Sequence, residues 1–145
     1  MNIKLSGLTP PNKIPITVKN MPHGEFDNKE VLKLSEEPFK ISKIMGLDIK
    51  ANILKCNIKK EHGKCILNIN GNKEITVSYR SDESFNNLHE LKYNTPFTTC
   101  VEYKFKHVKF KNIYVAIESA DIDLIDERTV KLDTKLFVAP LVLKK

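Results

Sequence analysis

The stretch ESADIDLIDERTVKLDTKLFVAPLV, residues 118–142, is typical of a β-hairpin. Its apolar and polar residues alternate with a period of two, which predicts two half-buried strands. Residues directly opposite each other in an antiparallel pair share a face, so the inward positions of the two strands must match across the turn. The inward positions are all even-numbered: Ala120, Ile122 and Leu124 on the first strand, and Val130, Leu132, Thr134, Leu136 and Val138 on the second.

The even numbering of the inward positions limits the length of the loop that joins the two strands. The loop must hold an odd number of residues, and residues 126–128 (Asp-Glu-Arg) satisfy that condition. The same register places an acid opposite a base on the outer face, which contributes roughly a few tenths of a kcal/mol at a solvated surface. The predicted cross-strand pairs are Leu124–Val130, Ile122–Leu132 and, on the outer face, Asp123–Lys131.

Length and composition indicate one domain with a real core, because the chain has 145 residues of which 41% are hydrophobic. No apolar run approaches the ~20 residues that span a bilayer, so we expect no membrane span. The N-terminus, MNIKLSGLTPP, lacks a basic segment followed by a long apolar one, so we expect no secretory signal and a protein that stays in a cytoplasm.

The net charge of +6 comes almost wholly from lysine, since Arg80 and Arg128 are the only arginines. An excess of lysine over arginine, with many Asn and Ile residues, also follows from an AT-rich genome. Basic charge therefore does not by itself indicate a nucleic-acid partner.

The N-terminal 40 residues differ from the rest of the chain. They hold five of the seven prolines, so they cannot form a long helix, and prolines inside strand-like runs point to sheet edges. Residues 14–18 (IPITV) and 31–34 (VLKL) are candidates for short strands. We therefore divide the chain into a proline-rich arm, residues 1–40, and a β domain, residues 41–145. The arm docks either on its own domain or on a neighbouring copy.

Alternating apolar residues predict β structure from Leu47 onwards. They occupy odd positions up to Ile53 and even positions from Leu54 to Ile58, which predicts a β-bulge near residues 53–54. A turn at residues 61–64 follows, after which odd positions are apolar from Cys65 to Tyr79. Gly71 interrupts that run and predicts a bend or a close backbone approach.

Further short strands follow, separated by a polar loop at residues 80–87 and by a turn or strand start at residues 94–97. The total is about eight strands, with no amphipathic helix of ten residues. Short strands joined by polar turns predict an all-β fold, a single-domain antiparallel β-sandwich or partly open barrel with a proline-rich N-terminal arm.

The three cysteines, Cys56, Cys65 and Cys100, are an odd number and form no C-x-x-C pair, which argues against a disulfide framework and against a zinc site. The predicted register places Cys56 opposite Ile69, roughly 13 Å along the ladder from Cys65, too far for a disulfide. Two interpretations stay open. The cysteines are reduced, partly buried thiols, or they form intermolecular cross-links in a mature assembly.

Motifs for catalysis are missing from the sequence. It contains no Gly-rich phosphate loop, no G-x-S-x-G and no H-E-x-x-H motif. Residues 23–27 (HGEFD) put ligand-type side chains in a predicted loop but lack metal-ligand spacing. His62 lies at a predicted turn tip, and Cys100 would need a converging His to act as a nucleophile. We therefore expect no catalytic residue, no metal and no cofactor, and we expect that the protein is not an enzyme.

One segment, YKFKHVKFKNIY at residues 103–114, interleaves lysines with aromatic residues. Basic grooves with stacking aromatics bind single-stranded nucleic acid. Alternation along a strand, however, places the lysines and the aromatics on opposite faces, which favours an ordinary amphipathic strand pair with a basic and aromatic surface. The candidate surface residues are Tyr103, Lys104, Lys106, Lys109 and Lys111.

Three segments resemble the SPOCS domain family of spore-forming Firmicutes, which includes the spore morphogenesis protein SipL. They are KCILNINGNKEITVSY at residues 64–79, YNTPF at residues 93–97 and VAIESADIDLIDERTVKLDTKLFVAPLV at residues 115–142. The resemblance covers roughly residues 45–142. Family members typically have a strand with a central Gly, a following Tyr, a Pro-Phe step and a terminal hairpin with an Arg after an acidic turn, which correspond here to Gly71, Tyr79, Pro96, Phe97 and Arg128.

The resemblance implies a role in building the bacterial spore envelope through protein–protein contacts, in the mother-cell cytoplasm and then on the spore surface. It carries over no catalytic residues. The LysM module of SipL-like proteins is not expected here, which favours a self-assembling coat or exosporium subunit. The expected partners are further copies of the chain, other spore coat proteins, or both. The alternatives are an adaptor that recruits another coat morphogenesis protein and, less favoured, a basic β-barrel that binds single-stranded nucleic acid.

Overall fold

Seven β-strands and one short helix make up the described part of the computed structural model, which comprises residues 3–34, 39–83, 88–103 and 110–142. A 3-10 turn, Pro11–Lys13, and the helix α1, Ile16–Lys19, lie between the first two strands. The strands are β1 (Lys4–Ser6), β2 (Gly24–Lys33), β3 (Lys43–Glu61), β4 (Lys64–Arg80), β5 (His89–Tyr103), β6 (Phe110–Asp126) and β7 (Thr129–Val142).

The strands form two sheets that face each other across the core. The first sheet has the order β1-β3-β4-β5 and the second has the order β2-β7-β6, and all neighbours are antiparallel except β1 and β3. The apolar side chains of both inner faces are buried between the sheets. This arrangement confirms the predicted all-β sandwich. The described strands do not close into a barrel, and they number seven rather than about eight because β5 and β6 each join segments that the sequence separates.

The C-terminal hairpin has the predicted register, since Leu124 pairs with Val130, Ile122 with Leu132 and Asp123 with Lys131. The loop differs from the prediction. Asp126 pairs with Thr129, so the turn has two residues, and Ile125 is the extra residue in a β-bulge. The bulge lies at the end of the hairpin, where Leu124 is 38% exposed instead of buried as predicted.

The β3–β4 hairpin also follows the prediction. The ladder shifts register between Ile53 and Lys55, where the parity change indicates a bulge, and Cys56 lies opposite Ile69. The turn consists of His62 and Gly63, with φ values of +49° and +76°. Two consecutive left-handed residues are the geometry of a type I′ turn, which explains why a glycine follows the histidine.

Gly71 confirms the expected close approach. A Cβ atom at this position would lie 2.2 Å from Cζ of Phe97 and 2.7 Å from the backbone oxygen of Asn52. Phe97 lies opposite Gly71 on β5, and its ring fills the space that a side chain would occupy. The glycine therefore lets an aromatic ring pack directly on the strand.

The strand β5 corrects one prediction. Residues 94–97 are not a turn or a strand start, because β5 runs without a break from His89 to Tyr103. Pro96 fits inside this strand because β5 is the edge of its sheet, where a missing backbone donor leaves no partner unsatisfied on the open side.

The N-terminal segment packs on its own domain. Residues 14–18 are not a strand as predicted, because Pro15 precedes α1 and the turn of helix brings Ile14 and Val18 to one side. Both side chains are buried against Phe137 and Ala139 on the outer face of β7. Residues 31–33 belong to β2 as predicted, and both β1 and β2 are edge strands.

The beginning of the chain also connects the two sheets. β1 runs parallel to β3, Leu8 then forms a bridge to Ile117 of β6, and the Thr9 N–H donates to the Ile117 carbonyl at 2.7 Å. No helix among the described residues has the length and apolar character needed to cross a membrane.

Candidate functional site

The three cysteines lie on three different strands of the first sheet, and all are in the thiol form. Cys65 is buried, with 5% exposure, and packs in the core between the sheets. Cys56 is half-buried, and burial raises the pKa of its thiol. Cys100 is exposed on the edge strand β5. Of the three candidates for an intermolecular cross-link, Cys100 is therefore the most accessible to another protein.

The segment at residues 23–27 is not the predicted loop, since β2 begins at Gly24. The ring of His23 stacks on the ring of Phe137, with centroids 4.6 Å apart, and its Nδ1 lies 2.8 Å from the Met21 carbonyl oxygen. The described residues contain no group of three or more His, Cys, Asp or Glu side chains placed to hold a metal ion.

The basic and aromatic segment lies largely outside the described residues. This applies to Lys104, Lys106 and Lys109, whereas Tyr103 ends β5 and Lys111 lies in β6. The placement of lysines and aromatics on opposite faces therefore remains a prediction from the sequence.

A buried ion pair connects the two sheets. The ammonium group of Lys73 on β4 donates to the carboxylate of Glu30 on β2 and, at 3.2 Å, to Oγ1 of Thr134 on β7. The Thr134 hydroxyl in turn donates to the Asn28 carbonyl at 3.3 Å. The Lys73 side chain is completely buried, and that of Glu30 is 14% exposed. Burial of a charge is costly unless it is paired and hydrogen-bonded, and this network supplies both conditions.

The ion pair was absent from the sequence-based predictions, although the parity of β4 contains a signal for it. Odd positions from Cys65 to Tyr79 face the core, and Lys73 occupies one of them. A lysine on an inward position needs an acidic partner on the opposite sheet. The sequence pattern does not identify that partner, because Glu30 is 43 residues away along the chain.

A second buried ionisable side chain lies on β6, where the ladder shifts register between Ile117 and Ser119 and leaves Glu118 in a bulge. The side chain is 5% exposed, and its Oε1 atom has no hydrogen-bond partner among the described residues. Burial raises the pKa of the Glu118 carboxyl, and the nearby Glu25 carboxylate adds to the increase. Lys135, Lys19 and His23 act in the opposite direction but do not cancel it.

Besides the outer strands β5 and β2, two strand segments have one edge that pairs with no described strand. β1 covers only residues 46–48 of β3, which leaves residues 50–61 open, and we call this segment the basic edge. Leu8 and Thr9 reach β6 only at Ile117, which leaves residues 119–126 open, and we call this segment the acidic edge. The exposed charged residues are Lys50, Lys55, Lys59, Lys60 and Glu61 on the basic edge and Asp121, Asp123 and Asp126 on the acidic edge.

Apolar side chains are exposed on the same two segments. Leu54 and Ile58 on the basic edge are 70% and 50% exposed, and Leu124 and Ile125 on the acidic edge are 38% and 55% exposed. These are four of the eight large hydrophobic side chains that are exposed in the described part of the chain. Open strand edges with exposed apolar side chains are templates for pairing with another chain.

Comparison of the chain with protein-family models, with curated proteins and with solved structures gave no match.

Proposed function

We propose that this protein is a non-enzymatic structural subunit of the bacterial spore envelope, a coat or exosporium protein that assembles with further copies of itself. The observation that carries the proposal is the pair of open strand edges with exposed apolar side chains on β3 and β6. An edge strand offers a row of backbone donors and acceptors, so it can add a strand from another chain without a change in the fold.

The placement in the spore envelope rests on the resemblance of residues 64–79, 93–97 and 115–142 to the SPOCS domain family. Under this proposal the chain is made in the mother-cell cytoplasm and ends on the spore surface. The exposed Cys100 supports such a route. A thiol stays reduced during synthesis and can form a disulfide after the mother cell lyses and its reducing power is lost.

Light scattering and negative-stain electron microscopy of the purified chain, with and without reductant, test the assembly. We expect ordered rings, sheets or filaments in both conditions, with larger or more persistent particles without reductant. The Cys100→Ser variant is the control for the thiol, and it should assemble equally with and without reductant. A monomer at every protein concentration would contradict self-assembly and would favour the adaptor function, which a pull-down from sporulating cells would then examine.

A fluorescent fusion produced in a sporulating Firmicute tests the location. We expect a ring of fluorescence around the forespore that remains on the released spore. Fluorescence spread evenly through the mother cell would contradict the envelope assignment even if the purified chain assembles.

A further inference from the structure

We propose that the basic edge of one copy of this chain pairs with the acidic edge of a second copy, so that the copies join head to tail. The inference rests on the self-assembly proposed above and names the two surfaces that carry it. It assigns residues 50–61 of β3 and residues 119–126 of β6 to one interface between copies.

Charge is the first argument. The basic edge holds four exposed lysines and one glutamate, whereas the acidic edge holds three exposed aspartates and no basic residue. Pairing of two basic edges would place lysines beside lysines, and pairing of two acidic edges would place aspartates beside aspartates. Like charges directly opposite each other destabilise a strand pair, and opposite charges stabilise it. Two basic edges, or two acidic edges, therefore repel each other, whereas a basic edge and an acidic edge attract each other.

The neighbours of Asp121 on the second sheet provide the second argument. Asp121 lies opposite Asp133 on β7, which is an unfavourable pair, and Asp133 has Lys29 of β2 on its other side. The charges across the sheet thus run from Lys29 to Asp133 to Asp121 at the open edge. A lysine from another copy next to Asp121 would offset the repulsion between the two aspartates.

The basic edge has a matching residue for this position. Lys55 is exposed and lies opposite the neutral Asn70, so its own sheet does not compensate its charge. Lys59 is less available because it pairs with Glu61 on the same strand at 2.9 Å, although both side chains are exposed and such pairs are weak. At the end of the acidic edge, the backbone N–H of Arg128 donates to the Asp126 carboxylate and lowers its pKa.

The fold prevents one copy from pairing its own two edges. The Ile41 N–H donates to the Glu127 carbonyl at 2.8 Å, which places the end of the acidic edge beside the start of β3. The basic edge occupies the other end of that long strand, next to the turn at His62 and Gly63. The partner must therefore be a second copy. Because the two surfaces differ, the contact repeats from copy to copy and forms either a closed ring or a filament.

Charge reversal on the two edges tests the proposal. The basic-edge variant is Lys55→Glu with Lys60→Glu, which leaves the Lys59–Glu61 pair intact. The acidic-edge variant is Asp121→Lys with Asp123→Lys. The matched control is Lys13→Glu with Lys92→Glu, which changes the net charge as the basic-edge variant does but at exposed positions away from both edges. Circular dichroism and thermal unfolding establish that each variant is folded.

We expect each edge variant to raise the protein concentration at which assembly begins by at least about tenfold, as the inversion of two cross-strand charge pairs implies. The control should assemble as the unmodified chain does. The quadruple variant, which carries the substitutions of both edges, restores opposite charges and the net charge of +6. It should therefore assemble again at close to the original concentration. Higher salt should weaken the assembly of both the unmodified chain and the quadruple variant.

The results separate the two proposals. If the unmodified chain does not assemble, self-assembly and this interface are both wrong. If it assembles but the edge variants behave like the control, self-assembly stands and the edge pairing is wrong.

Chemical cross-linking gives a readout that does not depend on mutation. A carbodiimide that joins an amine directly to a carboxylate is applied to a mixture of isotopically light and heavy chains. We expect mixed-isotope cross-links between Lys55 and Asp121 or Asp123. Cross-links between chains that join other segments, without any between these two edges, would overturn the proposal.

Discussion

Lys73 on the first sheet and Glu30 on the second form an ion pair inside the sandwich, and the lysine side chain is completely buried. The pair joins a central strand, β4, to an edge strand, β2, and Thr134 of β7 accepts a further hydrogen bond from the same ammonium group. The contact brings together residues that lie 43 positions apart. It therefore links the two sheets directly, as well as neutralising a buried charge.

Removal of one partner should cost more than removal of both. In Lys73→Ala the largely buried Glu30 carboxyl loses its partner, and we expect the free energy of unfolding to fall by about 3–5 kcal/mol. In Lys73→Met with Glu30→Gln no charge is buried, so the loss should be smaller than in Lys73→Ala or in Glu30→Ala. Urea denaturation measures all of them. Equal losses in the single and double variants would show that the ion pair does not couple the sheets.

Gly71→Ala should destabilise the fold because the new Cβ would lie 2.2 Å from Cζ of Phe97. The ring must shift, and we expect a loss of about 1–3 kcal/mol from this overpacking. Gly24→Ala is the matched control, since a Cβ there would meet its nearest atom at 3.5 Å, an ordinary contact. In a Phe97→Ala background the cost of Gly71→Ala should shrink, which a double-mutant cycle measures. Additive losses would contradict a direct clash.

Glu118→Gln should change how stability depends on pH. Burial raises the pKa of this carboxyl above its ordinary value of 4.5, so the folded chain holds the proton more tightly than the unfolded chain does. The unfolding free energy therefore falls as the pH rises from 4.5 towards the raised pKa. The variant lacks this loss and should be more stable than the original chain at pH 7.

Thermal unfolding from pH 4 to pH 8 checks the prediction. The two proteins should be similar near pH 4 and diverge as the pH increases. Glu102→Gln, at an exposed position on β5, is the control and should leave the pH profile unchanged. A Glu118→Gln profile parallel to that of the original chain would show that the burial of Glu118 does not affect its ionisation.

The thiols should react in the order of their exposure. Cys100 is exposed, Cys56 is half-buried with a raised pKa, and Cys65 is buried in the core. A chromogenic disulfide reagent should therefore modify Cys100 first and Cys56 more slowly, because the thiolate is the reactive form. Cys65 should react only when the fold opens. Mass spectrometry at successive times identifies the sites, and Cys100→Ser should remove the fast phase. Early modification of Cys65 would contradict its burial.

The sequence by itself determined the local β structure. The period of two and the parity of the apolar positions predicted the registers of both long hairpins, because a slip of one residue would turn every inward side chain towards solvent. Parity also predicted the bulge at residues 53–54, and a central glycine predicted the close approach at Gly71. These features depend on residues that are near one another in the chain.

The tertiary structure decided what depends on distant residues. IPITV at residues 14–18 has strand-like composition, yet it forms part of a helical turn because Ile14 and Val18 are buried against the outer face of β7. Pro96 lies inside a strand because β5 is a sheet edge, and Lys73 is tolerated in the core because Glu30 lies across from it. The two open edges are also a product of sheet order. A sequence pattern shows that a strand forms, but only the arrangement of the other strands shows which of its sides remains unpaired.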